Sequence, residues 1–123
     1  MAQDFGARSS LTDFRLAISA TAQRDIDSLL TFSRQRFGEV RAEKYEALLF
    51  SAFIDIRNDP NRPGVRTDVE LQTGIRLYHL RSVLRPQRLV RSPRHWIAFK
   101  VRNDQIRVVK VLHESMDLPS YLR

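Results

Sequence analysis

Two apolar stripes at helical spacing, separated by a single glycine, constrain this chain more than any other feature. Ala22, Ile26, Leu29, Leu30, Ser33 and Phe37 recur at steps of three and four residues. Tyr45, Leu48, Leu49, Ala52, Phe53 and Ile56 repeat the pattern beyond Gly38. Each stripe is the buried face of an amphipathic helix, and two helices joined by so short a turn must fold back as an antiparallel hairpin. Thr21 is expected to cap the first helix, whose opening turn carries Asp25 and Asp27. The second spans Val40 to Arg57, because Asn58-Asp59-Pro60 breaks the helical pattern there.

Strand patterns flank the hairpin. Before it, Phe14, Leu16 and Ile18 alternate with Arg15, Ala17 and Ser19, the period of a short strand. Residues 1–13 show no period and are expected to form a flexible extension, leaving residues 14–123 as a single domain. After the hairpin, Asn61, Pro63 and Gly64 mark a loop. Three segments rich in branched and aromatic residues come next, Ile75–Leu80, Trp96–Val101 and Ile106–Leu112, with Asn103-Asp104 as a tight turn between the last two. The fold class this order implies is α+β: an N-terminal strand, a helical hairpin, then a three-stranded antiparallel meander covered by the hairpin on one face. A two-residue turn at Asn103-Asp104 sets Trp96 opposite Val111 and His95 opposite Leu112. Ile97, Phe99, Val101, Ile106, Val108 and Leu112 then face the helices. Trp96, Ala98, Val109 and Val111 lie on the other face with Lys100 and Arg107, too apolar a surface to be left in water. The tail, with Met116, Leu118 and Leu122, is one candidate to cover it.

Charge is distributed unevenly. The chain has 21 basic and 14 acidic residues, yet no acid occurs between Glu70 and Asp104. That stretch holds Arg76, Arg81, Arg85, Arg88, Arg91, Arg94, Lys100 and Arg102, so the remainder of the chain is nearly neutral. A concentrated positive field favours encounter with an acidic partner, either nucleic acid or an acidic protein surface. Arg81, Arg85, Arg88, Arg91 and Arg94 fall three or four residues apart in a segment that Pro86 and Pro93 prevent from being one helix. Their planar guanidinium groups can each grip a carboxylate or phosphate with two bonds.

Several chemistries are excluded or disfavoured. There is no cysteine, hence no disulfide framework and no thiolate metal site, and the four glycines are too scattered for a phosphate-binding loop. No segment is long and apolar enough for a membrane span, and the first residues lack a signal-peptide layout, so a cytoplasmic protein is expected. In this register His95 and His113 point to opposite faces, which argues against a histidine metal site. Neither a metal nor another cofactor is expected. Tyr78, His79 and Arg81 are the candidates for ribonuclease chemistry, but Tyr78 and His79 are adjacent in a strand and face opposite sides. No basic recognition helix is present for sequence-specific DNA binding: Glu43, Glu46 and Asp55 accompany the second apolar stripe.

The order of these pieces resembles a known family. The hairpin around Gly38, the run Gly74-Ile75-Arg76, the strand Arg94-His95-Trp96-Ile97-Ala98-Phe99, and the closing Val109-Lys110-Val111-Leu112-His113-Glu114-Ser115-Met116-Asp117-Leu118 with Leu122 look like the ParE branch of the RelE/ParE toxin superfamily. The likeness covers residues 14–122, and the segment Arg81–Pro93 departs from it as an insertion. The resemblance implies a toxin neutralised by a cognate antitoxin, through which it oligomerises. It also implies DNA gyrase as target, with or without bound DNA, in place of an enzymatic reaction. RelE relatives cut messenger RNA on the ribosome, which is the alternative. On this reading the antitoxin binds Trp96, Ala98, Val109 and Val111, and the target binds Arg81, Arg85, Arg88, Arg91 and Arg94.

Overall fold

The computed structural model describes residues 14–67, 74–83 and 90–122. The first strand, β1 (Arg15–Ile18), leads into helix α1 (Ala20–Phe37) and helix α2 (Glu39–Asn58). Gly38 serves both helices. Its N–H donates to the Arg34 carbonyl that ends α1, and its own carbonyl accepts from Ala42 in the first turn of α2. A φ of 95° makes this turn suited to a residue without a side chain.

Four further strands come after the hairpin: β2 (Val65–Arg66), β3 (Arg76–His79), β4 (His95–Arg102) and β5 (Gln105–His113), before a short helix α3 (Leu118–Leu122). They form one sheet with β1 in the order β1-β5-β4-β3-β2. The meander expected from the sequence is its centre, with Asn103 at φ 55° in the turn between β4 and β5. β1 adds to β5 in parallel. β2, two residues inside what the sequence suggested was plain loop, pairs with β3. Arg76 stabilises that loop by donating to the Pro60 carbonyl at 3.0 Å and the Asn61 side chain at 2.7 Å.

The register differs from the one a simple two-residue turn implies. Arg102 pairs with Gln105 and Phe99 with Val108, as such a turn requires, but Ala98 pairs with Lys110 and His95 with His113. Val109 is an extra residue, a β-bulge, and every position after it changes face. Val111 therefore packs under the helices with Tyr78, Ile97, Phe99, Ile106 and Val108, while Leu112 lies on the opposite face. Val111 does not belong to the second face.

Part of that second face is covered by the chain itself. Ile75, Leu77, Trp96, Ala98 and Leu112 pack with Leu122, and Leu118 and Val109 flank them. Trp96 and Ala98 are consequently buried. The sheet thus carries apolar side chains on both faces: the hairpin covers one, and α3 covers part of the other.

The cap also differs from expectation. Ser19, not Thr21, accepts the Ala22 N–H at 3.0 Å, and α1 starts earlier than a Thr21 cap allows. Ser19 simultaneously donates its hydroxyl to the Val109 carbonyl at 3.1 Å and its N–H to the Val108 carbonyl at 2.9 Å. Asp25 is too far along to serve the first turn. Its carboxylate accepts the Val111 N–H at 3.0 Å and lies 3.8 Å from Lys110. Ser19→Ala is expected to lower unfolding free energy by about 1–2 kcal/mol, because a cap and a bulge contact are lost together. Thr21→Ala should change it by less than about 0.5 kcal/mol. Urea denaturation of both variants distinguishes the two assignments.

Candidate functional site

The titratable groups gather at the end of the sheet where β3 finishes, β4 begins and β5 finishes. The bulge puts His95 directly across from His113, and their rings meet edge to face with centroids 5.1 Å apart. The expectation that these histidines point to opposite faces is overturned by the one-residue shift. Both line a cleft of about 970 Å³ between the hairpin and the sheet.

Hydrogen bonding determines how each ring is used. Arg94 N–H donates to the Tyr45 hydroxyl at 3.0 Å, so that oxygen is an acceptor, and the phenol hydrogen is directed to His95 Nδ1 at 2.7 Å. His95 then carries its proton on Nε2. Burial pushes the His95 pKa down to about 4, and the neighbouring His113 and His79 act in the same direction. Burial also raises the Tyr45 hydroxyl. In His113, Nδ1 accepts the Ser115 N–H at 3.0 Å, leaving Nε2 as its donor.

His79 lies on the other face. Arg81 N–H donates to its Nδ1 at 3.1 Å, and its Nε2–H donates to Glu114 at 2.9 Å. Its edge packs on Trp96, with ring centroids 4.8 Å apart. Burial lowers the His79 pKa, against the raising effect of Glu114. The hydrogen bond from His79, together with that from Arg94, holds the Glu114 carboxyl below its usual value. Glu114 is thus a hub, with Arg94 at 3.0 Å and Arg81 at 3.9 Å completing the set.

The ribonuclease candidates do not converge. Tyr78 is buried on the helix side, its hydroxyl between the Ser82 carbonyl at 3.1 Å and the Asp55 carboxylate at 3.3 Å. Burial and the Asp55 charge push it up to about 12. His79 is on the opposite face, as strand alternation requires. Among the described residues no group of three His, Cys, Asp or Glu side chains is placed to hold a metal.

Of the five arginines assigned to target binding, Arg81 and Arg94 flank Glu114, and Arg91 lines the cleft. Arg85 and Arg88 lie outside the described residues. Of the antitoxin candidates, Trp96 and Ala98 are buried beside α3, Val111 is under the helices, and Val109 is part-exposed at the bulge. The cleft itself was not legible in the sequence, since Arg41, Lys44 and Tyr45 reach it from α2 while Arg91 and His95 reach it from the far side. The one signal pointing to it was the missing acids around Arg91.

A His whose folded pKa is depressed binds its proton more readily when unfolded, so stability is complete above the unfolded value near 6.5 and is lost as pH falls toward 4. His95 alone should cost roughly 2 kcal/mol between pH 7 and pH 5, and His79 acts with the same sign. Urea midpoints measured across this range should fall with acidification. In His95→Gln the fall should be clearly shallower.

Among the described residues no helix is long and apolar enough to cross a membrane. The family model for the ParE toxin of the type II toxin–antitoxin system, parDE, matches residues 16–118. Among solved structures, one described as the chromosomal ParDE TA system from P. aeruginosa superposes with a TM-score of 0.64 at 14% identity, covering 85% of this chain and 98% of that one. The E. coli DinJ-YafQ toxin-antitoxin complex gives 0.48 at 12% identity over 84% and 94%. The YoeB dimer from Staphylococcus aureus gives 0.41 at 17% over 79% and 92%. No curated protein sequence matches the chain significantly. The family match runs from β1 to the first residue of α3, and on that basis the chain belongs to the ParE toxin family of type II toxin–antitoxin systems.

Proposed function

We propose that this toxin acts in the cytoplasm by binding DNA gyrase through its exposed arginines, catalyses no reaction of its own, and is neutralised by a cognate antitoxin through which it oligomerises. The observation that carries the reading is that the two acid–base candidates for ribonuclease chemistry, Tyr78 and His79, do not converge. Tyr78 and His79 are on opposite faces, each committed to internal hydrogen bonds, whereas the Arg81 and Arg94 side chains remain 60% and 62% exposed. Exposed guanidinium groups whose neighbouring base, His79, is spent on internal bonds to Glu114 and the Arg81 N–H suit a docking surface better than a phosphodiester cleavage site.

The antitoxin surface on this reading is the second face of the sheet. Contact with Trp96 and Ala98 requires α3 to move aside, while Val109 at the bulge is reachable directly. β-strand addition or an amphipathic helix would serve there.

Inducing the chain in cells with and without its neighbouring gene tests the whole proposal. Growth arrest relieved by the neighbour, loss of gyrase supercoiling and intact messenger RNA are the expected results. Messenger RNA cut on ribosomes would support ribonuclease action instead, and a harmless chain would overturn the toxin role. Replacing Arg81 and Arg94 together by Ser should weaken gyrase binding by about tenfold while shifting stability by less than about 1 kcal/mol, as exposed ion pairs contribute little to folding. Val109→Glu is expected to abolish antitoxin binding with the circular dichroism spectrum unchanged. If this variant unfolds, Val109 belongs to the core and the assigned surface is wrong.

A further inference from the structure

The cleft between the hairpin and the sheet shares Arg91 and Arg94 with the arginines assigned to gyrase binding, but its apolar wall and its α2 cations are not used by that reading. Its α1 wall is apolar, with Leu29, Phe32 and Phe37, and Val90 contributes from the segment before β4. Phe32 and Phe37 are 60% and 53% exposed, an unusual state for two large rings in one place. Cations surround them. Arg41 and Lys44 project from α2 and Arg91 from the opposite side, and among the described residues none of the three forms an ion pair, whereas Arg94, which also lines the cleft, is paired with Glu114 at 3.0 Å. Arg41 lies over the Phe37 ring at 5.6 Å, so charge and apolar surface are presented together. No carboxylate lines the cleft among the described residues. His95 and His113 also line the cleft, each with Nδ1 occupied, by the Tyr45 hydroxyl and the Ser115 N–H respectively.

We infer that this cleft is a docking groove for an acidic peptide segment of a protein partner, one that inserts an aromatic or aliphatic side chain against Phe32 and Phe37 while its carboxylates meet Arg41, Lys44 and Arg91. Charge complementarity selects this occupant. A second copy of the chain would bring more positive charge to a rim that already holds three cations without an ion pair among the described residues, and a nucleic acid backbone leaves the apolar wall unused. An acidic segment with an apolar anchor satisfies both halves of the site, in the manner of helix-in-groove recognition. The inference rests on the reading of the chain as a protein-binding toxin, but its test does not require toxicity.

Peptides are selected from a random phage-displayed library on the immobilised full chain, and the affinities of the enriched sequences are measured by fluorescence anisotropy. The expected consensus combines Asp or Glu with Phe, Trp or Leu. Reversing the rim with Arg41→Glu and Lys44→Glu should weaken binding by more than about tenfold, whereas Arg102→Glu and Arg107→Glu, at the far end of the sheet, should change it by less than about threefold. The ring protons of His95 and His113 should shift when peptide is added to the parent, which locates binding independently of any variant. Neutral or basic consensus peptides, indifference to rim reversal, or unshifted histidine resonances would overturn the inference. So would displacement of the peptide by a short DNA duplex, or self-association of the parent that rim reversal abolishes. If the chain proves harmless in cells but binds acidic peptides here, the toxin reading fails and the groove stands.

Discussion

One extra residue in β5 arranges most of what is distinctive in this molecule. Without the bulge at Val109, Leu112 would sit under the helices and Val111 outside. With it, Val111 enters the main core and Leu112 joins Trp96 beside α3. A bulge costs ladder hydrogen bonds, so its freed groups need other partners. Ser19 supplies them at the Val108 and Val109 carbonyls, and Asp25 supplies one at the Val111 N–H. The connection from β1 into α1 and the first turns of that helix are thus tied to the irregular part of the sheet. Strand, helix and bulge hold one another in place.

The same shift creates the polar end of the sheet. Bringing His95 and His113 to one face places two imidazoles beside the hairpin, where Tyr45 occupies His95 Nδ1 and burial suppresses protonation. Across the sheet, His79 donates to Glu114 because the Arg81 N–H already claims its Nδ1. In two of these histidines, His79 and His95, burial favours the uncharged ring. Each ring is held by hydrogen bonds, His95 through Tyr45 and His79 through Glu114 and the Arg81 N–H.

The arginine excess is not one uniform surface. Arg76 is spent on the loop before β2, Arg94 and Arg81 on the Glu114 hub, and Arg91 on the cleft. Arg66 and Arg81 also lie over the Trp96 ring at 5.2 and 5.8 Å, covering its face with guanidinium planes. A guanidinium can do this because it is weakly hydrated and planar. Part of the charge seen in composition is therefore structural, while Arg41, Lys44 and Arg91, without an ion pair among the described residues, meet at the cleft.

The hairpin, its glycine hinge, the central meander and the charge asymmetry are all legible in the order of residues. Each is encoded locally: apolar periods of three to four or of two residues state a backbone conformation and a buried face, and Gly38 and Asn103 supply positive φ where a turn needs it. Nothing local marks the bulge, because Val108-Val109-Lys110-Val111 reads as uninterrupted strand with no glycine in it. Ser19 and Thr21 are both competent caps, and the choice went to the one whose hydroxyl also reaches a carbonyl ninety residues away. Likewise the cleft unites Arg41 with Arg91 and Tyr45 with His95, side chains brought together only when the hairpin lands on the sheet. Face and register depend on which distant groups satisfy the backbone, and a periodicity that looks the same in every register carries no information about that choice.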